Sequence, residues 1–322
     1  MLRVIGSGPA GCAAALSAIA EGGSVTLFEK SPFPRHKVCG EFLSPEVEIS
    51  LRRLGVWNDF CAAQPVPIRN VRLVLGKSEK RWSLESPAFG LSRYRLDALL
   101  QNAALRRGAT LVQQMAKPGD GPDVIAHGRT GKTPRSDRLF GFKAHFTGPV
   151  SDSVELFFFN RCYTGVSAVE GAETNICGIA PESLLKDVNF EPEPLLQQCP
   201  ALWERMRPLV RNMEWMTTGP LEFTERLPDA RPGTYECGDA LGFIDPFTGS
   251  GMLAALITGT LAGTAAATGQ PSGLHRAECW RALGKQYRAA RIFRAGIQAG
   301  IAEFASKLLP GKLLFDLTRP RL

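Results

Sequence analysis

The sequence predicts an α/β chain: a parallel sheet of nucleotide-binding type, interrupted by an inserted antiparallel sheet. Three features predict it. A strand, a glycine turn, an Ala-rich helix and a second strand fill Leu2 to Phe28, a β-α-β order that requires parallel pairing under covering helices. Short strands with turn residues between them dominate the middle of the chain. The last third returns to a strand, a glycine-rich loop and a long small-residue helix.

Taken in order, Leu2 to Ile5 reads as a short buried strand, and Pro9 to Glu21 as a helix stopped by Gly22-Gly23. Ser24 to Phe28 is the next strand, and Ser31 to Glu41 a loop with two prolines. Glu46 to Leu54 reads as a helix, Val71 to Leu75 with Lys80 to Leu84 as a hairpin around Gly76, and Leu96 to Arg107 as a helix ending at Gly108. Strands follow at Gly141 to Phe146, Val154 to Phe159, Tyr163 to Val169 and Thr174 to Ala180, then a helix at Leu195 to Arg207 and an extended Met216 to Phe223. Thr234 to Cys237 is a strand, Gly238 to Gly249 a loop, Ser250 to Thr268 a helix, and Cys279 to Ala305 one or two more. The expected division is 1–65 and 91–138 (shortened) as two nucleotide-type parts, with 229–322 as a third carrying the C-terminal helices. The hairpin 66–90 and the antiparallel stretch 139–228 form the inserted substrate domain.

Of 322 residues, 44% are apolar and 21% charged, which is globular rather than disordered usage. The net charge is +7, but the basic residues are scattered, which argues against a nucleic-acid partner. None of the eight cysteines forms a CxxC pair, so no metal centre has sequence support. Their wide spacing and the early first strand fit reduced thiols and a cytoplasmic location. Met252 to Thr268 is apolar but small-sided, and reads as a buried helix rather than a membrane span. The run Arg291 to Leu314, with Arg291, Arg294, Lys307 and Lys312, reads either as a packed helix or as a basic amphipathic one in peripheral membrane contact.

Gly6-Ser7-Gly8-Pro9-Ala10-Gly11 lies between the first strand and the first helix, the context a dinucleotide fingerprint needs. Gly6 permits the turn, Gly8 lets a diphosphate approach the backbone, and Gly11 lets helix and sheet pack closely. The helix start, with Pro9 and Ala10, offers N–H groups and partial positive charge. Glu29, with Lys30 beside it, ends the second strand, where a carboxylate accepts hydrogen bonds from an adenosine ribose and repels a 2′-phosphate.

A second turn, Gly238-Asp239, also follows a strand, and Gly249-Ser250-Gly251-Met252 opens a helix. A short dinucleotide dehydrogenase has no use for it. FAD does, because its ribityl chain and ring system continue beyond the diphosphate. Asp239 suits the ribityl hydroxyls, and N–H groups from Gly249 to Met252 suit the electron-rich edge of the ring.

Four stretches together resemble the p-hydroxybenzoate hydroxylase-like FAD-dependent oxidoreductase superfamily, closest to its geranylgeranyl reductase and flavin halogenase-related branch. They are Gly6 to Gly11 with Glu29, Pro34 to Glu41, Arg93 to Asp97, and Gly238 to Gly251. The resemblance implies a Rossmann-like FAD-binding domain of GR2 type with an inserted antiparallel substrate sheet roofing the flavin. It also implies FAD contacts for Arg35 and Arg93. Several departures bear on activity. The stretch from Arg107 to Val124 is short, and His127 stands where relatives carry an aspartate tied to NADPH binding, so NAD(P)H or another electron donor remains open. The Trp-x-Trp-x-Ile-Pro motif and a clear halogenase lysine are absent, which argues against halogenation; Met252, not the asparagine frequent in aromatic hydroxylases, follows Gly251, which leans toward the reductase branch.

Cys39, in the Cys-Gly pair that related reductases place near the flavin, either donates a proton or lines the pocket. His145 alternates with apolar residues on a strand, and is either an acid or base facing the cavity or a satisfied core histidine. Trp215, Phe223, Phe157, Phe159 and Tyr163 are pocket roof or sheet core. The expected function is FAD-dependent oxidoreduction of a small apolar organic substrate, by hydride transfer or hydroxylation. A non-catalytic, redox-responsive flavin binder and an NAD-dependent dehydrogenase are the rivals; the first would bind FAD without turnover, the second would be colourless.

Overall fold

The computed structural model describes residues 1–119, 122–129, 138–223, 231–246 and 249–298. Lys307 and Lys312, singled out above, lie outside the described residues. In chain order, β1 (Leu2–Ile5), α1 (Pro9–Ala20) and β2 (Val25–Phe28) form the β-α-β unit. Then come β3 (Phe42–Leu43), α2 (Val47–Arg53), α3 (Trp57–Ala62), the long hairpin β4 (Val66–Leu75) and β5 (Ser78–Gly90), α4 (Arg93–Arg106), β6 (Thr110–Val112) and β7 (Asp123–Ile125). The middle holds β8 (Leu139–Thr147), β9 (Ser153–Phe159), β10 (Cys162–Val169), β11 (Glu173–Pro181), α5 (Glu182–Asp187), α6 (Glu193–Leu196), α7 (Pro200–Met206), β12 (Val210–Arg211) and β13 (Met216–Leu221). β14 (Thr234–Glu236), α8 (Gly251–Thr268) and α9 (Ser272–Gln298) complete it.

Five strands form the parallel sheet, in the order β14-β7-β1-β2-β6. Leu2 pairs with Val25, Arg3 with Asp123, and Thr234 with Asp123, so a strand from the far end of the chain lies two places from the fingerprint strand, with β7 between them. The larger sheet runs β12-β8-β11-β10-β9-β4-β5-β3, with β13 on β8. It is not purely antiparallel: β4 and β9 pair in parallel from Asn70–Ser153 to Leu75–Phe158. These edges come from two separate chain segments, and each hairpin fixes only its own local direction. The predicted helix at Leu195 to Arg207 is two helices, because Pro200 starts α7 and forces the preceding Cys199 into extended backbone.

Side chains alternate across the large sheet with period two. Phe142, Phe146, Phe157 and Ile176 point into a core closed by Leu185, Leu202 and Met206 of the short helices. The opposite face of the same strands looks toward the parallel sheet and encloses a cavity.

The small-residue helix α8 packs on α1, as its composition demands. A Cβ on Gly259 would stand 2.2 Å from the Ala10 carbonyl oxygen, and one on Gly263 2.1 Å from that of Ala14. Glycines four apart thus make one flat stripe that lets the helix backbones touch. Gly251–Thr268 is long and apolar enough to cross a membrane by length and composition, but half of it is buried in this packing.

Candidate functional site

One cavity of about 800 Å³ lies between the two sheets. Its floor is the fingerprint turn: Gly6, Gly8, Pro9 and Ala10 border it. Gly11 does not; a Cβ there would sit 1.8 Å from the Gly6 carbonyl oxygen, so its role is the close turn-to-helix contact. Gly6 has φ +99 and abuts the Ala126 carbonyl, a position open only to glycine.

Glu29 is buried at the end of β2 and borders the cavity. Its carboxylate accepts from the Ser7 N–H at 3.0 Å, the Ser31 N–H at 3.2 Å and Arg35 Nη2 at 2.9 Å. Burial alone would raise this carboxyl; the two backbone N–H groups and the charges of Arg35 and Lys37 outweigh it and hold it below the ordinary range. Arg35 also stacks on Phe33 at 4.9 Å. Lys30 is exposed at the rim.

Positive charge gathers over Gly8. A Cβ on this glycine would stand 3.7 Å from Arg93 Nη2 and 4.0 Å from Lys37 Nζ, so both cations face the gap above the turn. Arg93 is held at the start of α4 by a bidentate pair with Asp97, at 2.6 and 2.7 Å, one helical turn on. Burial and neighbouring Arg93 pull the Lys37 ammonium down to about 8. Sequence reasoning singled out Arg35 and Arg93 but not Lys37; its place two residues after Arg35 in an extended loop was the available signal.

The second turn meets the first. Gly238 has φ +59, and a Cβ on it would lie 2.8 Å from Ala10 Cβ, so β14 delivers its turn directly onto the fingerprint helix. Thr258 Oγ1 of α8 accepts the Gly238 N–H at 2.9 Å, and Tyr287 of α9 donates to the Gly242 carbonyl at 2.8 Å. Gly238, Asp239, Gly249, Gly251 and Met252 border the cavity, while Ser250 is buried behind them. The Asp239 side chain is exposed to the cavity, and the protein crowded around it raises its carboxyl, opposed by Arg129, Arg93 and Lys37. Arg129 borders the cavity too, reaching Thr218 Oγ1 at 3.2 Å and lying 4.9 Å over the Phe243 ring. Sequence reasoning stopped two residues short of it, at His127, which is exposed on the cavity rim.

The roof is apolar. Val71, Leu73, Trp82, Val154, Leu156, Phe158 and Tyr163 project from β4, β5, β9 and β10. Of the three consecutive phenylalanines only Phe158 joins this roof; its neighbours Phe157 and Phe159 pack on the other face with Trp215. Phe223 stacks on Phe243 at 5.3 Å rather than forming roof.

Cys39 borders the cavity, and burial pushes its thiol up against the pull of Arg93, which favours a proton-bearing thiol. Cys177 borders it from β11 and is raised by burial as well. Beside Cys39 stands a wholly buried ionic cluster. Glu41 accepts from Lys143 Nζ, from the Arg93 N–H at 2.7 Å and lies 2.7 Å from His145 Nε2. Burial would raise the Glu41 carboxyl; His145 and the Lys143 ammonium hold it low. His145 is therefore embedded in the wall rather than facing the cavity. His36, Glu41 and His145 bring ligand atoms within 4.8 Å of one another. The Lys143 ammonium already on Glu41 opposes a divalent cation there.

These residues fit FAD. The glycine turns leave backbone open where a Cβ would intrude, cations face the gap over Gly8, Asp239 lies further along, and an apolar roof continues the same cavity.

Comparisons with known proteins agree. A FAD binding domain family matches residues 3–37. A menaquinone reductase from Mycobacterium tuberculosis (strain ATCC 25618 / H37Rv) is 34% identical over 116 residues, 34% of this chain and 28% of the reductase. A 1H-pyrrole-2-carbonyl-[peptidyl-carrier protein] brominase from Pseudoalteromonas luteoviolacea (strain 2ta16) is 33% identical over 126 residues, 38% of this chain and 30% of that protein. The matched stretches thus span under a third of these relatives. Among solved structures, a flavin-dependent brominase superposes with TM-score 0.79 at 20% identity, covering 98% of this chain and 92% of that one. A geranylgeranyl bacteriochlorophyll reductase-like protein from Thermoplasma acidophilum gives TM-score 0.73 at 16% identity, covering 99% and 91%. At these identities the likeness is one of fold.

Proposed function

We propose that the chain is an FAD-dependent oxidoreductase that reduces an apolar, unsaturated organic substrate held under the sheet roof, a reading supported by the FAD binding domain match over residues 3–37 and the likeness to a menaquinone reductase. The observation that carries this reading is the continuity of one cavity from two converging glycine turns to the roof of Val71, Leu73, Leu156 and Phe158. When bound, FAD supplies the two-electron chemistry that side chains lack. The chain's own residues then do the rest. Lys37, Arg93 and the start of α1 take the diphosphate, Glu29 the adenosine ribose, and Asp239 the ribityl hydroxyls. The roof orients the substrate by burial and excludes water.

Similarity to a menaquinone reductase supports an apolar quinone-like or polyunsaturated acceptor. Among the described residues bordering the cavity, the lysines are Lys30 and Lys37, both at the nucleotide end, which favours reduction over halogenation. Purified protein carrying FAD, reduced without air by dithionite, is mixed with a short-chain naphthoquinone. Fast return of the flavin colour with formation of the quinol is expected. Reoxidation by dioxygen alone, with oxygen or halogen built into the organic substrate, would overturn the reductive reading.

A further inference from the structure

The wall cluster beside Cys39 has a chemistry of its own. His145 Nε2 lies 2.7 Å from Glu41 Oε2, and Nδ1 lies 3.0 Å from Glu173 Oε2. A neutral imidazole has a single N–H, and an ionised carboxylate only accepts. Carboxylates on both ring nitrogens are satisfied together only when the trio holds one proton more than a neutral ring provides. Lys143, fully buried on the other oxygen of Glu41, completes a balanced set: two carboxylates against an ammonium and an imidazolium. An uncompensated charge at this depth would be strongly destabilising.

The two ends of the trio differ. Glu41 is wholly buried, borders the cavity, and sits at φ +53, a left-handed conformation that non-glycine residues adopt at a cost and that clusters at functional positions. The Glu173 side chain is 34% exposed and is steadied by Asn212 Nδ2 at 2.7 Å. The groups facing His145 are Glu41 from the loop before β3, Lys143 on its own strand, Glu173 from the paired β11, and His36, whose ring meets it edge-on at 5.2 Å. His36 also borders the cavity, and its Nδ1 is buried without a hydrogen-bond partner.

We infer that His145 is a proton store for the flavin cavity, delivering through Glu41 while Glu173 holds the ring in place. This rests on the reductive reading, in which reduction of the substrate leaves an anionic centre that takes up a proton. The Nε2–H bond breaks as an Oε2–H bond forms on Glu41. That O–H bond then breaks as the proton bonds to the anionic carbon or oxygen of the substrate, whose lone pair forms the new bond. The imidazole is left neutral with its Nδ1–H on Glu173. After product leaves, a solvent proton entering the open cavity returns by the same path. Glu173 plays the part a triad carboxylate plays, fixing the tautomer and stabilising the imidazolium.

The test combines nitrogen NMR of ¹⁵N-histidine-labelled, FAD-loaded protein with turnover of a short-chain naphthoquinone. In the wild type both His145 nitrogens carry protons at neutral pH. In Glu173→Gln, which keeps an acceptor for Nδ1–H but removes the charge, the ring becomes singly protonated. There kcat falls by about 100-fold, the usual scale of a lost acid–base contribution, with KM and flavin absorbance unchanged. Glu173→Asp restores both the doubly protonated ring and most of kcat. A neutral His145 ring in the wild type, or wild-type kcat and pH profile in Glu173→Gln, would overturn the store. Protein that binds FAD but reduces no apolar acceptor would overturn the reductive reading, and the NMR result would then judge the stored proton by itself.

Discussion

Lys37 shows how a single side chain couples cofactor binding to pH. It lies above Gly8 among Arg93 and Arg35, and burial with those charges lowers its ammonium to about 8, against an ordinary 10.5. A diphosphate at Gly8 favours the charged form, so binding draws a proton onto Lys37 as pH rises past 8. FAD affinity is therefore expected to be greatest below pH 8 and to weaken above it. In Lys37→Met the affinity should be roughly tenfold lower at neutral pH, the loss of one modest charge contact, and flat across this window. Fluorescence quenching of FAD on titration with apoprotein measures both. The sign for stability runs the other way. A folded value below the unfolded one contributes stability that is present above 10.5 and lost as pH falls through 8, because the buried ammonium must then be charged.

Helices α1 and α8 carry the two turns, so their contact sets the spacing of the cofactor site. Gly259 and Gly263 touch the Ala10 and Ala14 carbonyls, and Thr258, immediately before Gly259, accepts the Gly238 N–H. Any side chain at Gly259 must push the helices apart. Gly259→Val is expected to cost about 1–3 kcal/mol of stability through overpacking, and to weaken FAD binding as well, because the displaced helix moves both turns. Thermal melting with and without FAD separates the effects: a variant that melts earlier yet keeps full FAD affinity would show that the helix contact does not set the site. On the far side, α9 braces the same loop through Tyr287 on Gly242 and Arg294, 3.8 Å from Asp245.

Across the molecule, two sheets with separate cores enclose one cavity. The parallel sheet supplies the nucleotide end and the mixed sheet the apolar roof, so the two can be perturbed independently. Leu156→Trp fills the roof on β9 without touching the fingerprint. It should leave the flavin spectrum and FAD affinity intact while raising KM for an apolar acceptor by about tenfold or abolishing turnover. Unchanged kinetics would place the substrate elsewhere. The parallel pairing of β4 with β9 makes this roof continuous, since it joins the hairpin segment to the main strands.

The longer helices and strands and both glycine turns were legible in the chain because each rests on local terms: period-2 and period-3.6 apolar patterns, proline and glycine backbone limits, and a turn between strand and helix; short elements such as α3, α5 and β6 carry too few residues for such a pattern. The alternation in Val154 to Phe159 showed which residues share a face, but not which face meets the cavity. That depends on the helices packed behind the sheet, and it put Phe158 rather than Phe157 or Phe159 in the roof. The parallel β4–β9 pair had no local signal either, since neither hairpin constrains the other. Glu41 and its partners were the least readable of all. Lys143 and His145 lie 102 and 104 positions from Glu41 in sequence, and a buried charge declares its partner only when folding removes the water that would otherwise solvate it.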